Sequence, residues 1–491
     1  MSIDSSRRSL IKGAGALPFL AALSALHSRN AMAAATQLVD SPYGPVAPVN
    51  DLSTGLPLLM LPAGFTYKSY GWTGDLMANG QPTPGSHDGM AVITTRKVGR
   101  STEIVMVRNH ERGTGSDSGF FGAPAVYDAF PSTSGGTSYS AGGTTNLTFR
   151  DGNWIKTEPS LGGTRTNCAG GPTPWGTWLT CEEVGSDSVS AGGKKHGYVF
   201  EVTADPQQTT GQPIVGMGRY AHEAAGIDPA TGIVYLTEDS SGKSGLYRYV
   251  PVITQGFVGS LAQGGTLQMA KVVGQNNVNV APAELGQTYA LEWVNIADPD
   301  ANRGTATGLN GVVITNTAGP FVQGWAQGAL RMNRGEGVWY HAGKMYLMDT
   351  SGGPVNEGAI WELDLATQVM TCIFASASTL AGNNGDNITV SPRGHLVICE
   401  DGGTVNDQFG PGTRLMGLTG NGGTFIFAKN NINLSSAQLT AAGKLASLAA
   451  DRRSSEFCGA CFDPTGRYLF VNIQTPGVTF AITGPWAKGP I

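Results

Sequence analysis

The feature that most constrains this chain is a unit that recurs along it: a Gly-containing turn, a short run of alternating apolar residues, and an acidic or amide residue where the run stops. Six stretches carry it: "TEIVMVRNHERG", "TPWGTWLTCEEVG", "DPATGIVYLTEDSSG", "HAGKMYLMDTSGG", "SPRGHLVICEDGG" and "DPTGRYLFVNIQTPG". The alternation has the period of a strand, and repetition at intervals marks meandering sheets arranged about an axis. Several units run on into a second strand, as in "GLYRYVP", "GAIWELDL" and "VTFAITGPW". The expected fold is all-β, a six-bladed β-propeller with loop insertions. A seventh blade stays open, because "QTYALEWVNIADPDANRG" and the stretch after it read either as an insertion or as part of a further blade.

Composition agrees with a turn-dense β protein. The 491 residues include 71 Gly and 27 Pro, and only 14% are charged. The formal charge is -5. Residues 1–33 hold Arg7, Arg8, Lys12 and Arg29 against Asp4, a surplus of +3, which leaves -8 for the remainder. With no basic stripe, nucleic-acid binding is not expected. A negative protein that handles anions has to gather positive charge locally, and bound cations are the simplest source.

The propeller pattern places the units' terminal residues, Glu111, Glu182, Glu238, Asp349, Glu400 and Asn472, at one mouth of a central channel. A single acid after a strand usually caps a turn. Several held together would repel each other and take up protons unless cations neutralise them, so the pattern predicts a multi-metal cluster. Oxygen ligands suit hard cations such as calcium; a thiolate favours a softer or transition metal. Cys168 lies in a Gly-rich turn of "TNCAGGPTPWGTWLTCEE", near Glu182 and Glu183, and fits a mixed site. Cys181 and Cys399 sit in strand-like runs and read as small buried groups. Cys458 and Cys461 form a lone C-x-x-C, which reads as a disulfide or two buried thiols rather than a zinc site. His110 and His222 read as packed, hydrogen-bonded residues.

The chain opens with "SRRSLIKGAGALPFLAALSAL", a twin arginine followed by an apolar run shorter than the roughly 18–20 residues a spanning helix needs, then an A-x-A site at Ala31 to Ala33. This predicts a Tat signal peptide over 1–33, removed to leave one propeller domain over 34–491. The mature protein is then periplasmic or secreted, with no stable membrane insertion and with the Tat machinery as its transport partner.

"TNCAGGPTPWGTWLTCEE", "GRYAHEAAGIDP", "YLTED", "NRGEGVWY", "DNITVSPRGHLVICEDG", "LMGLTGNGGTFIFAKNN" and "LFVNIQTPGVTFAITGPW" occur in order between Asn109 and Trp486 and resemble the PhoX-type alkaline phosphatases, Tat-exported six-bladed propellers. The resemblance implies a metal-dependent phosphatase acting on phosphate monoesters, with Fe3+ and Ca2+ in an oxo-bridged cluster. Position by position it implies Cys168 as a thiolate iron ligand, Glu182, Glu183 and Glu238 as cluster ligands, Glu336 as an iron ligand, Asp386 and Glu400 as further metal ligands, and Arg334 as the arginine that grips phosphate. Asn109, Glu111 and Glu223 are implied as substrate or supporting residues. Phosphodiesterase or phosphotriesterase action within the same family is an alternative. Two other classes remain: a calcium-dependent propeller lactonase or esterase, which needs neither thiolate nor phosphate-gripping arginine, and a non-catalytic propeller, which needs none of these residues.

Overall fold

A computed structural model describes residues 35–115, 121–131, 138–420 and 422–491. The leader assigned to 1–33 lies outside them. The fold is all-β and propeller-like. Its main sheets are antiparallel apart from a short parallel pairing of Ala125–Val126 with Asn153–Thr164, and six of their end strands stand beside a common axis: His87–Val98, Asn167–Pro172, His222–Ile227, Gly335–His341, Gly385–Val390 and Phe457–Phe462. Each of these inner strands packs on the next and the last packs on the first, so they close a ring.

The recurring turn is local chemistry. In "DPATG", Asp228 accepts hydrogen bonds from the Ala230 backbone N–H (3.0 Å) and the Thr231 hydroxyl (2.7 Å). Gly232 then takes φ +74°, open to a residue without Cβ. The chain reverses there and the second strand returns toward the other end of the axis. Between neighbouring sheets lie wedges of core. Leu179, Val199, Leu236, Tyr247 and Met269 fill one; Phe65, Phe425, Phe427, Phe457 and Phe480 fill another.

Two sheets merge. Thr288–Asn295 pairs with Gly265–Val272 on one side and with Val369–Ala375 on the other, making a nine-stranded sheet. The stretch left open above is therefore an insertion: this bridging strand, the hairpin Gly304–Thr307 and Val313–Thr317, and the helix Gly319–Ala326 add no strand to the ring. The last sheet is completed by an early segment, Thr66–Tyr70, which pairs with Val478–Thr483. Among the described residues no helix is long and apolar enough to cross a membrane. All six cysteines are buried free thiols, so Cys458 and Cys461 form no disulfide.

The ring is tight because its inner strands meet at small residues. A Cβ on Gly89 would lie 2.6 Å from the Ala169 Cα, and one on Gly337 would lie 2.6 Å from the Asp386 carbonyl oxygen and 2.8 Å from the Ile388 nitrogen. Backbone cannot yield as a flexible side chain does. Gly337→Ala is expected to destabilise the fold by about 1–3 kcal/mol through overpacking, read as a lowered denaturant midpoint; an unchanged midpoint would show that the strands can part freely.

Candidate metal centre

Every inner strand carries the same irregularity at the same place. His87 pairs with His110, then Met90 with Arg108; Asn167 with Glu182, then Gly170 with Thr180; His222 with Glu238, then Ala225 with Leu236. Gly335 pairs with Asp349, then Val338 with Leu347; Gly385 with Glu400, then Ile388 with Ile398; Cys458 with Asn472, then Cys461 with Phe470. One extra residue on the inner strand is a β-bulge, which re-aims a side chain. The residues in it are Asp88, Cys168, Glu223, Glu336, Asp386 and, in the last strand, Gly459. The first five line a cavity of about 370 Å³ on the axis. Gly459 has no side chain to offer, and Glu456 enters the cavity from just before its strand.

A second tier comes from the residue just past four of the second strands. Glu111, Glu183, Asp239 and Asp401 also line the cavity. Of the six terminal residues named above, Glu111 lines the cavity and the other five do not, because side chains alternate along a strand and a step of one residue changes the face. This corrects three expected ligands. Glu182 turns into its sheet, where it accepts hydrogen bonds from the backbone N–H groups of Arg165, Gly197 and Tyr198 and lies 2.7 Å from His196 Nδ1. Glu238 accepts from the Tyr247 hydroxyl at 2.8 Å and from the Gly245 N–H. Glu400 is held bidentately by Arg414, Nε to Oε2 at 2.7 Å and Nη2 to Oε1 at 2.6 Å, with both side chains fully buried. Asp349 and Asn472 follow the same rule: the Asn333 N–H donates to Asp349 at 3.0 Å, and Asn472 donates to the Asp88 carbonyl and accepts from Thr479.

The adjacent pair Glu400 and Asp401 separates the two roles experimentally. Glu400→Gln strands the buried Arg414 charge and is expected to cost about 3–5 kcal/mol of stability while metal content holds; Asp401→Asn is expected to lower metal content with little loss of stability. Unfolding titrations paired with metal analysis check this, and the reverse pattern would put Glu400 in the cluster.

Of the remaining expected residues, the structure gathers Cys168, Glu183, Glu336, Asp386, Arg334, Glu111 and Glu223 around one cavity. Asn109 stands behind it: its amide nitrogen donates to the carbonyls of Cys168 (3.0 Å) and Ala169 (2.7 Å), and its oxygen accepts from Trp178 and Thr180, so it shapes the bulge that presents the thiol. His110 and His222 are packed, with ring nitrogens on Gly85, Thr145 and Gly218, and burial pushes both pKa values down.

Four overlapping groups bring ligand atoms within 4.8 Å of one another: Cys168, Glu183 and Glu223; Glu223, Glu336 and Asp386; Asp386, Asp401 and Glu456; Asp88, Glu111 and Glu456. Shared members chain them together. The first is the one with sulfur and suits a transition metal; the all-oxygen groups suit hard cations. Burial, followed by mutual repulsion, pushes Asp88, Glu183, Glu223, Glu336 and Glu456 well above the usual carboxylate range, Glu111 to about 7 and Asp386 to about 8. The Cys168 thiol is pushed well up by burial and then by Glu223 and Glu183. Asp88 Oδ1 and Glu336 Oε1 are buried without a hydrogen bond among the described residues. These are the marks of a donor set built for cations: acids crowded beyond what they can tolerate alone, with lone pairs unused.

Arg334 stands at the rim with φ +64°, an uncommon conformation for a residue with a Cβ. Asp239 holds it bidentately, at 3.0 Å from Nε to Oδ1 and 3.1 Å from Nη2 to Oδ2. Nη2 also lies 2.8 Å from Glu336 Oε1, close enough for an ion pair but out of line for a hydrogen bond. Burial pulls its pKa down, yet Glu336 and then Asp239 raise it above the ordinary arginine value.

Sequence reading missed Asp88, Asp239, Asp401, Glu456 and Arg452, which also line the cavity. Asp239 and Asp401 were each visible as the second member of an acidic pair. Asp88 and Glu456 have no such neighbour.

Fold and site together define a class: an all-β, propeller-like protein whose axial cavity gathers buried carboxylates and a thiol beneath an arginine. A family profile described as alkaline phosphatase PhoX matches residues 41–158 and 137–477. The chain belongs to the PhoX alkaline phosphatase family and is a phosphatase. Among solved structures, Pseudomonas fluorescens PhoX in complex with vanadate, a transition-state analogue, is similar at 17% identity and a TM-score of 0.62, covering 93% of this chain and 99% of that one. A gluconolactonase from Xanthomonas campestris is similar at 12% identity and a TM-score of 0.36, covering 90% of this chain and 98% of its own. No curated protein matches the chain by sequence.

Proposed function

We propose that this chain is an exported phosphatase that hydrolyses phosphate monoesters with ferric iron and calcium held in its axial cavity as an oxo-bridged cluster. The observation that carries the reading is the convergence of Cys168 and the crowded acids below Arg334. Iron fits the thiol group, Cys168 with Glu183 and Glu223; calcium fits the all-oxygen groups around Asp88, Asp386 and Glu456. Dividing the nine-stranded sheet at Thr288–Asn295 gives the six-bladed reading of the fold. The twin arginine at Arg7 and Arg8 supports export by the Tat route.

When bound, the cations supply Lewis acidity that offsets charge on the phosphate oxygens. The protein's own contribution is positioning. Asp239 occupies Nε and Nη2 of Arg334, while Nη1 donates no hydrogen bond to the described residues, so one edge of the guanidinium is left for a phosphate oxygen. The tight ring around Gly89, Ala169 and Gly337 leaves only about 20 Å³ of space, so the ester is expected to enter from the rim beside Arg334. The vanadate bound by Pseudomonas fluorescens PhoX is the kind of oxyanion that such a site would take.

The test is direct. The purified exported protein should contain iron, absorb in the visible as a thiolate-ligated or oxo-bridged ferric site does, and hydrolyse p-nitrophenyl phosphate until calcium is chelated. Colourless, iron-free protein with lactonase activity would defeat the proposal.

A further inference from the structure

No aliphatic or aromatic side chain lines the axial cavity, so the alcohol portion of an ester finds no apolar grip there. Discrimination among alcohols falls to hydrogen bonds and charge. Two arginines line the cavity, Arg334 and Arg452. Arg334 precedes Gly335–His341 and Arg452 lies in the turn before Phe457–Phe462, and Gly385–Val390 stands between those two strands in the ring, so the two residues line the cavity from different sectors.

Arg452 is held and unspent. Its N–H donates to the Ile432 carbonyl at 2.8 Å, and the buried Asn430 amide donates to the carbonyls of Arg452 (2.8 Å) and Ser455 (2.9 Å), which fixes the turn. The next residue, Arg453, is consumed by Asp451 through two hydrogen bonds, at 2.9 and 2.6 Å. Arg452 has no such partner among the described residues, and its Nε is buried without a hydrogen bond. A guanidinium carried on a fixed turn at a polar opening, beside acids yet paired with none among the described residues, is placed for an anion from outside, and its planar fork matches a carboxylate or phosphoryl group.

Resting on the phosphatase reading, we infer that Arg452 is a specificity-determining residue that binds a second anionic group on the alcohol side of the substrate. The favoured esters are small phosphorylated alcohols that also carry a carboxylate or a further phosphate.

The test compares matched pairs on the metal-loaded protein: 3-phosphoglycerate against glycerol 3-phosphate for a carboxylate, and fructose 1,6-bisphosphate against fructose 6-phosphate for a phosphoryl group. The wild type should favour the anionic member of at least one pair by about tenfold or more in kcat/KM, and the pair that responds identifies the group. R452A and R452Q should reduce that ratio by about tenfold or more, R452K by less, whatever their absolute rates, with iron and calcium content reporting an intact fold. A wild type without the preference, or an R452A ratio equal to that of the wild type, overturns the assignment. Loaded wild-type protein inert toward all four esters and p-nitrophenyl phosphate overturns the phosphatase reading instead, and this inference with it.

Discussion

Replacing Arg334 with alanine is expected to lower kcat/KM toward p-nitrophenyl phosphate by about 10²–10³-fold, the range for removing one charged donor from a developing oxyanion. The loss should fall mainly on kcat, and the proposed iron and calcium should stay bound, because a protonated guanidinium has no lone pair to give a cation. Arg334→Lys should recover little, since a point charge cannot keep Asp239 on two nitrogens and still present a third to substrate. Steady-state kinetics with metal analysis on the same samples decide the matter. Unchanged catalytic efficiency in the alanine variant would remove Arg334 from the site.

Removing the proposed cations should reverse how stability depends on pH. A carboxyl whose folded pKa lies above its unfolded value holds a proton that the unfolded chain has already lost. Its stability contribution is therefore whole below the unfolded pKa and drains away as pH climbs to the folded one. For Asp386 the shift is from 3.8 to about 8, and for Glu111 from 4.5 to about 7, so the window runs from about pH 4 to about pH 8. Chelated protein should lose roughly 5 °C or more in Tm across that window. Loaded protein should hold or gain stability over the same range, because protons compete with metal for these oxygens at its acid end. Calorimetry on both forms checks the sign. A chelated Tm that rises with pH would mean that the acids are neutralised by something other than cations.

The repeat made the all-β fold and the converging chemistry legible, because strand period and turn residues are local properties. Which of two adjacent acids faces the axis was not. In "CEE", "TED" and "CED" the first member anchors its sheet and the second enters the cavity, and the choice depends on a bulge in a partner strand that the sequence does not display. Glu400 illustrates the limit: its partner Arg414 reaches it only through strand pairing. Asp88 was illegible for a related reason, since nothing in "SHDGM" announces the bulge that turns it inward. Cys168 was marked by its Gly-rich turn near Glu182 and Glu183, and Glu336 and Arg334 were found through long motifs rather than through periodicity.

Closing the final sheet with Thr66–Tyr70 has a consequence for biosynthesis. A ribosome makes that segment long before its partner Val478–Thr483, which lies far downstream of it. Until then the last sheet lacks its outer strands, and the acids beside Phe457–Phe462 are held in the ring by inner-strand packing without that support. Full-affinity capture of the proposed ions is thus expected to wait for Val478–Thr483, and a copy truncated before Val478 should hold them weakly however correctly its earlier sheets are made.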